Sequence, residues 1–321
     1  MFFYSSGLKR FLLRIVEVGV EQRLNPSKKE KDRLGKGKRG TGIKIYAQVS
    51  GQGDPVIFLP AMGWTAESAG PLVSVLEERY QFHRLDLPGF GRSEPFSKVP
   101  SWKDFALWIH RYCEQQQWNQ VRIIGHSLGG IMALAYADQF PERVYQLVLL
   151  DAGYQPIPRF PEDIAKPFRY LVPALNFLAS WGGIRVLTRW IGESGRVTEG
   201  SGPSSEELEK AFQEFVESQH LLITNELREA FYTAHQLVTF NPLAINLLLG
   251  IYRSKPVMAF NRLKPATLLV VPEHMTHYTP LTQIDEKGLP VLLYEVNSGH
   301  FVHYARPEVA HVIRDFFDHW N

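Results

Sequence analysis

Residues 121–130 read VRIIGHSLGG, and within them Gly125, His126, Ser127, Leu128 and Gly129 form a G-x-S-x-G pattern. The run before the serine, 121–124, is apolar and strand-like, and the stretch after it, 131–139, is rich in alanine and helix-like. A strand that turns directly into a helix strains the backbone at the corner, and flanking glycines leave room for the close approach. A serine at that corner projects its hydroxyl above the sheet, and the N–H groups that open the helix face negative charge developing beside it. That arrangement suits nucleophilic acyl chemistry. A serine hydroxyl is a weak nucleophile until a base takes its proton, so a histidine is required. Of eleven histidines, His300 stands out because it follows Gly299 just beyond the last apolar run, with His303 its nearest competitor. His126 adjoins Ser127, but neighbouring side chains on a turn diverge, so its ring should point away from the hydroxyl.

These residues need a frame. Apolar runs rich in β-branched or bulky residues occur at 43–49, 55–60, 82–86, 121–125, 145–150, 267–272 and 290–296, with helical patterns between most of them at 66–79, 102–117, 128–140 and 305–319. Such alternation predicts an α/β fold, a mostly parallel sheet flanked by helices. One connection is anomalous. Over a hundred residues, dense in leucine and aromatics, separate the run ending at Leu150 from the one near Thr267. A structureless loop of that length is implausible, and helical periodicity at 206–218 and 226–238 predicts an inserted helical cap on the strand ends. The expected organisation is an N-terminal arm over 1–41, a core over 42–152 and 256–321, and a cap over 153–255.

At this point the chain resembles the α/β-hydrolase family, over about residues 42–321. Besides the serine elbow, residues 86–93, DLPGFGRS, match the family's D-x-P-G-x-G-x-S turn, whose role is structural. Gly299, His300 and Phe301, followed by Arg306, Pro307 and Glu308, resemble the segment that carries the catalytic histidine. Residues 59–65, LPAMGWT, stand where the family has its oxyanion-hole loop, with Pro60 and Ala61 in place of the usual His-Gly. The resemblance implies Ser127 as nucleophile, His300 as base, and the backbone N–H groups of Met62 and Leu128 as the oxyanion hole. Trp64 and His126 are the candidate substrate-binding side chains; Trp64 could equally pack the loop.

The acid departs from the common pattern. The family usually places it after the penultimate strand, in a stretch like L-x-x-x-G-E-x-D; here residues 268–275 read LLVVPEHM, with Met275 in the acid's place. A thioether cannot orient a histidine. Some members, such as certain haloalkane dehalogenases, carry the acid one strand earlier, where Asp151 directly follows residues 147–150. Ends of neighbouring parallel strands converge on one site, so Asp151 is the expected acid, with Glu273 the alternative. The dehalogenase and epoxide-hydrolase branches use an aspartate at the elbow, which Ser127 argues against.

Composition bounds the rest. Hydrophobic residues at 45% and charged residues at 21% are globular values, which excludes global disorder. One cysteine, Cys113, excludes an internal disulfide and a Cys-cluster metal site. Neither a clustered metal-ligand set nor a dinucleotide fingerprint is visible, so neither metal nor cofactor is expected. The net charge of +2 hides an asymmetry. Residues 1–44 carry twelve Lys/Arg against four acids, a balance of +8, leaving twenty-three against twenty-nine, or −6, for the remainder. Within the arm, Tyr4, Leu8, Phe11, Leu12, Ile15 and Val18 recur at helical spacing over 2–23, and residues 26–41 read as a solvated basic linker. That amphipathic stretch could meet an anionic membrane surface or pack on the chain's own body. It is too short and too charged to span a bilayer, and no A-x-A-like cleavage site follows it, so a secretory signal is not expected. No nucleic-acid-binding motif accompanies the basic residues, and nucleic acid is not an expected partner. A cytoplasmic setting, with surface membrane association as an option, is the expectation.

The leading reading is a cofactor-free serine hydrolase with a Ser127–His300–Asp151 triad and an acyl-enzyme, acting on a carboxylic ester of a hydrophobic small molecule. Phe168, Tyr170, Leu171, Phe177, Trp181 and Trp190 suggest an apolar cap, or simply the cap's own core. The alternatives are a ligand-binding protein with little turnover on a hydrolase fold, or an acyltransferase or C–C hydrolase with the same triad.

Overall fold

The described strands form one mixed sheet in the order β1-β3-β2-β4-β5-β6-β7: β1 (Ala47–Ser50), β2 (Asp54–Leu59), β3 (Tyr80–Leu85), β4 (Val121–His126), β5 (Val144–Leu150), β6 (Ala266–Pro272) and β7 (Val291–Val296). Only β1 runs antiparallel, against β3; all other pairs are parallel. The computed structural model describes residues 44–156, 204–237 and 243–320. The expected amphipathic helix over 2–23, the basic linker and the aromatic-rich stretch from Phe168 to Trp190 lie outside the described residues. Apart from Lys44, the described residues belong to one compact unit, 45–159 with 202–321.

The central strands read as near-continuous apolar runs because both faces are covered. In β6 every residue after Ala266 is buried, whereas the edge strands β1 and β7 are mostly half-buried. Strand alternation divides the side chains between two faces. Val56, Phe58, Ile124, Val148, Leu268 and Val270 pack into one cluster with α1 (Gly70–Leu76) and with Val309, Ile313, Phe316 and Phe317 near the end of the chain. Parallel crossovers supply α2 (Trp102–Gln115), which begins with a capping box of Ser101 and Asp104, and α3 (Leu128–Gln139). All of 128–137 in α3 is buried, and its small residues, Gly129, Gly130, Ala133, Ala135 and Ala137, allow a helix without a solvent face.

Between β5 and β6 the described chain is helical: α4 (Ser205–Gln219), α5 (Asn225–Leu237), α6 (Ala244–Arg253) and α7 (Pro256–Phe260). A capping box of Ser204 and Glu207 starts α4. Leu208, Ala211, Phe212 and Val216 on α4 meet Leu227, Ala230, Phe231 and Ala234 on α5 in a shared apolar cluster. After β6 come the one-turn α8 (Thr279–Thr282), α9 (Val302–Ala305) and α10 (Val309–His319).

Two helices expected as continuous are divided, each at a proline. The 66–79 pattern splits into a 3-10 turn, Ala66–Ala69, and α1, whose first turn holds Pro71. The 305–319 pattern starts earlier but breaks at Arg306, which adopts φ −135° and ψ 86°, because the ring of Pro307 disfavours helical backbone at the preceding residue. No helix among the described residues is long and apolar enough to cross a membrane.

Candidate active site

Ser127 sits at the corner between β4 and α3 with φ 53° and ψ −114°, a conformation that costs a β-substituted residue roughly 1–3 kcal/mol. Its amide donates to the Leu150 carbonyl at 3.1 Å, and its own carbonyl accepts from Ile131. Serine at a helix start ordinarily caps the helix through its hydroxyl; Ser127 does not, so the hydroxyl is not committed to the helix. Glycine is required on both sides. A Cβ at Gly125 would lie 2.5 Å from Gly130 Cα, and one at Gly129 would lie 2.3 Å from the Leu59 carbonyl oxygen.

Asp151 directly follows β5 at a positive φ of 46°, held by its amide's bond to the Val270 carbonyl at 2.8 Å. Its carboxylate is 7% exposed, and Oδ2 lies 2.6 Å from His300 Nδ1. With Asp151 ionised, Nδ1 carries the proton it donates and Nε2 keeps a lone pair, the tautomer a general base needs. His300 follows β7 in the loop before α9, with its side chain 19% exposed. The carboxylate at His300 is thus that of Asp151. Glu273 lies exposed in the 3-10 turn after β6, where Met275 points into the core.

The second oxygen of Asp151 was not foreseen. Oδ1 accepts from the Tyr154 hydroxyl, which in turn accepts from Gln155 Nε2 at 3.0 Å. Tyr154 is fully buried, and burial together with the neighbouring Asp151 charge pushes its hydroxyl far above the usual phenol range, so it stays a donor. The only sequence signal is an aromatic hydroxyl three positions after the acid, too common to be read alone.

Residues 59–64 form the loop after β2. The Gly129 amide donates to the Pro60 carbonyl at 3.1 Å, joining this loop to the serine corner, and a tight turn closes through Trp64 N–H to Ala61 C=O at 3.1 Å with Gly63 at φ 77°. Met62 occupies this turn, and Leu128 is the first residue of α3. Among the described residues neither amide donates to a backbone carbonyl, as is usual for an N–H at a helix start such as that of Leu128. The Asp86 carboxylate braces the loop from below. It accepts from Ala66 N–H at 2.8 Å and from Arg92 N–H and Nε at 2.8 and 2.7 Å, fixing the loop to the DLPGFGRS turn.

The two candidate substrate-binding side chains, His126 and Trp64, are both packed among protein side chains. His126 is fully buried. Its Nε2 donates to the His300 carbonyl at 3.0 Å, and its ring packs 4.8 Å from Phe301 and 5.0 Å from His303. Burial, with His300 and His303 nearby, pushes its proton affinity well down. Its place is therefore beneath the His300 segment, as a neutral prop. Trp64 is 9% exposed and packs on Phe301, Phe215 and Phe231 at 4.9, 5.3 and 6.1 Å, which is the packing role. His303 is fully buried, donates through Nε2 to the Ser68 carbonyl at 3.0 Å and is pushed down to about 4 by burial; it cannot reach solvent as a base. Among the described residues no group of three or more His, Cys, Asp or Glu side chains could hold a metal ion.

The model of the alpha/beta hydrolase family matches residues 56–312. The chain belongs to that family. Among curated relatives, the serine hydrolase-like protein of Homo sapiens is 36% identical over 113 residues, covering 34% of this chain and 55% of that protein. The (lyso)-N-acylphosphatidylethanolamine lipase of Mus musculus is 32% identical over 117 residues, covering 35% of this chain and 34% of the lipase. The chain thus matches about half or less of these relatives' length. The crystal structure of E-2-(acetamidomethylene)succinate hydrolase superposes with a TM-score of 0.61 at 17% identity, covering 86% of this chain and 96% of that one, and so shares the α/β-hydrolase fold.

Proposed function

We propose that this alpha/beta hydrolase family member is a serine hydrolase that cleaves a carboxylic ester of a hydrophobic substrate. The observation that carries the reading is the 2.6 Å Asp151–His300 pair beside the strained Ser127 corner. Ser127 Oγ attacks the ester carbonyl carbon while His300 Nε2 takes its proton. The amides of Met62 and Leu128 hold the oxyanion. Collapse expels the alcohol, protonated by His300, and leaves an acyl-serine. Water, deprotonated by His300, then attacks that acyl group, releases the acid and restores the serine. Asp151 keeps the imidazole in its tautomer and stabilises its charged form. The helices between β5 and β6 act as the cap that selects substrate. An ester-cleaving role draws support from the serine hydrolase-like and lipase relatives. What favours catalysis over a binding role is that two of the four non-glycine residues at positive φ among the described residues, Ser127 and Asp151, bear the side chains the reaction needs.

Fluorophosphonate labelling with peptide mapping tests this. Modification at Ser127, abolished together with ester turnover in a folded Ser127→Ala variant, is expected. Retained turnover in that variant would remove Ser127 as nucleophile. Failure of the folded wild type to label would favour the ligand-binding alternative.

A further inference from the structure

A buried carboxylate has two oxygens to satisfy, and a triad accounts for one. Oδ2 of Asp151 faces His300; Oδ1 is held by the hydroxyl of Tyr154. Tyr154 is fixed in turn. Its ring is fully buried, edge-to-face with Tyr278 at 6.1 Å between centroids, and its oxygen accepts from Gln155 Nε2 at 3.0 Å. The result is a chain of donors running Gln155 to Tyr154 to Asp151, meeting the His300 donor on the opposite oxygen. Each bond polarises the next. The carboxylate is therefore pinned at its backbone, by the Val270 carbonyl, and at both oxygens.

We propose that Tyr154 is a positioning residue for catalysis, holding the Asp151 carboxylate in the plane that aims His300 Nε2 at Ser127. This rests on the triad proposed above. Tyr154 does not touch the reacting atoms. Its hydroxyl removes the second rotational state of the carboxylate and supplies the bond that the ionised oxygen would lack in a dry pocket. Titratable groups facing the pair include His126 from the end of β4 with His303 behind it, and Tyr154 with Tyr278 behind it. His126 and His303 are held neutral by burial, and Tyr154 keeps its proton. None of these three adds a charge near neutral pH.

The test is Tyr154→Phe in the full chain, with p-nitrophenyl butyrate turnover measured from pH 5 to 9 beside Asp151→Asn. Phenylalanine keeps the ring and removes one donor. The expected result is a kcat lowered about tenfold, the scale of one bond to a charged group. KM should stay within about twofold, because the hydroxyl does not reach substrate. The acid side of the kcat/KM profile should move to higher pH, since an oxygen without its donor holds a proton more readily and favours the imidazolium beside it. A merely structural tyrosine would lower thermal stability without moving that midpoint. An unchanged kcat and midpoint in Tyr154→Phe, with Asp151→Asn inactive, would overturn this proposal and leave the triad standing. Full activity in Asp151→Asn would overturn the triad itself. If Tyr154→Phe does not fold, Gln155→Leu decides. It weakens the same chain one bond further out, so a smaller shift in the same direction is expected, and no change at all counts against the proposal.

Discussion

Asp151→Asn is the perturbation whose size the structure sets most directly. The carboxylate accepts two bonds, from His300 Nδ1 at 2.6 Å and from the Tyr154 hydroxyl. An amide offers one acceptor and one donor, so it cannot satisfy both. If its oxygen faces His300, its NH₂ points at the Tyr154 hydroxyl. If the NH₂ faces His300, the imidazole must accept at Nδ1, which moves the proton to Nε2, the atom that has to receive one from Ser127. The site is 7% exposed at Asp151, so water does little to relieve the mismatch. Replacing a triad aspartate by asparagine typically lowers kcat by about 10⁴, which corresponds to roughly 5 kcal/mol of transition-state stabilisation. The expected loss in kcat/KM for p-nitrophenyl butyrate is thus about 10³–10⁴-fold, with thermal unfolding showing a folded protein. Glu273→Gln, at an exposed position, should stay within about twofold. A larger loss for Glu273→Gln than for Asp151→Asn would refute the assignment of the acid. So would an Asp151→Asn variant within about tenfold of wild type.

Ser127→Gly removes the hydroxyl and also relaxes a φ of 53°. The variant should be inactive yet melt higher, by about 1 kcal/mol once strain relief is set against glycine's chain entropy, and a lower melting temperature would mean the corner is not strained. His303 has its folded-state value lowered to about 4 by burial, so its neutral form contributes stability that is complete above about pH 6.5 and lost as pH falls through 4. The loss amounts to about 3 kcal/mol; because His83 and His126 are also held neutral by burial, His303→Gln should reduce, without abolishing, the fall in urea-unfolding stability between those limits, and an unaltered pH dependence would exclude His303 as a contributor. Liposomes containing anionic lipid should co-sediment the full chain more strongly than a chain lacking residues 1–40, and equal binding by both would remove the basic arm as a membrane contact.

The sheet was legible because its central strands are buried on both faces. Runs such as 121–125 and 267–272 are apolar for that reason, and periodicity reports it. Helix interruptions were less visible. Pro71 and Pro307 each divide a pattern whose apolar spacing continues across the break. The serine corner was legible because its glycines answer a close approach that no other residue tolerates. The divergence of neighbouring side chains on a turn sends the His126 ring away from the Ser127 hydroxyl, as the sequence implies; that it is then buried against the His300 segment, and not set out as a candidate substrate contact, is visible only in the fold. Tyr154 was illegible because its role depends on Asp151 adopting a positive φ, which no local pattern announces.

Trp64 raises the question of what joins the catalytic loops to the helices above them. It lies two residues after Met62, and its ring packs at a tilt against Phe301, the neighbour of His300, with centroids 4.9 Å apart. Both rings also meet Phe215 of α4, at 5.3 and 5.1 Å, and Trp64 meets Phe231 of α5 at 6.1 Å. One aromatic cluster therefore fastens the loop after β2, the loop that carries His300 and the helical pair together. Phe231 is 4% exposed at its centre, so truncation to alanine should cost about 3–5 kcal/mol less whatever the site recovers by collapse. If the cluster only stabilises, the folded fraction of Phe231→Ala, assayed at low temperature and normalised by fluorophosphonate-reactive sites, should show wild-type kcat. If it positions both loops, kcat per reactive site should fall about tenfold, because misplacing a reacting group by about 1 Å can cost as much as a hundredfold. Phe231→Leu, which refills most of the volume, should recover more than half of both losses. Wild-type kcat per reactive site in Phe231→Ala would confine the cluster to stability and leave the two loops to be positioned from below, by Asp86 and His126.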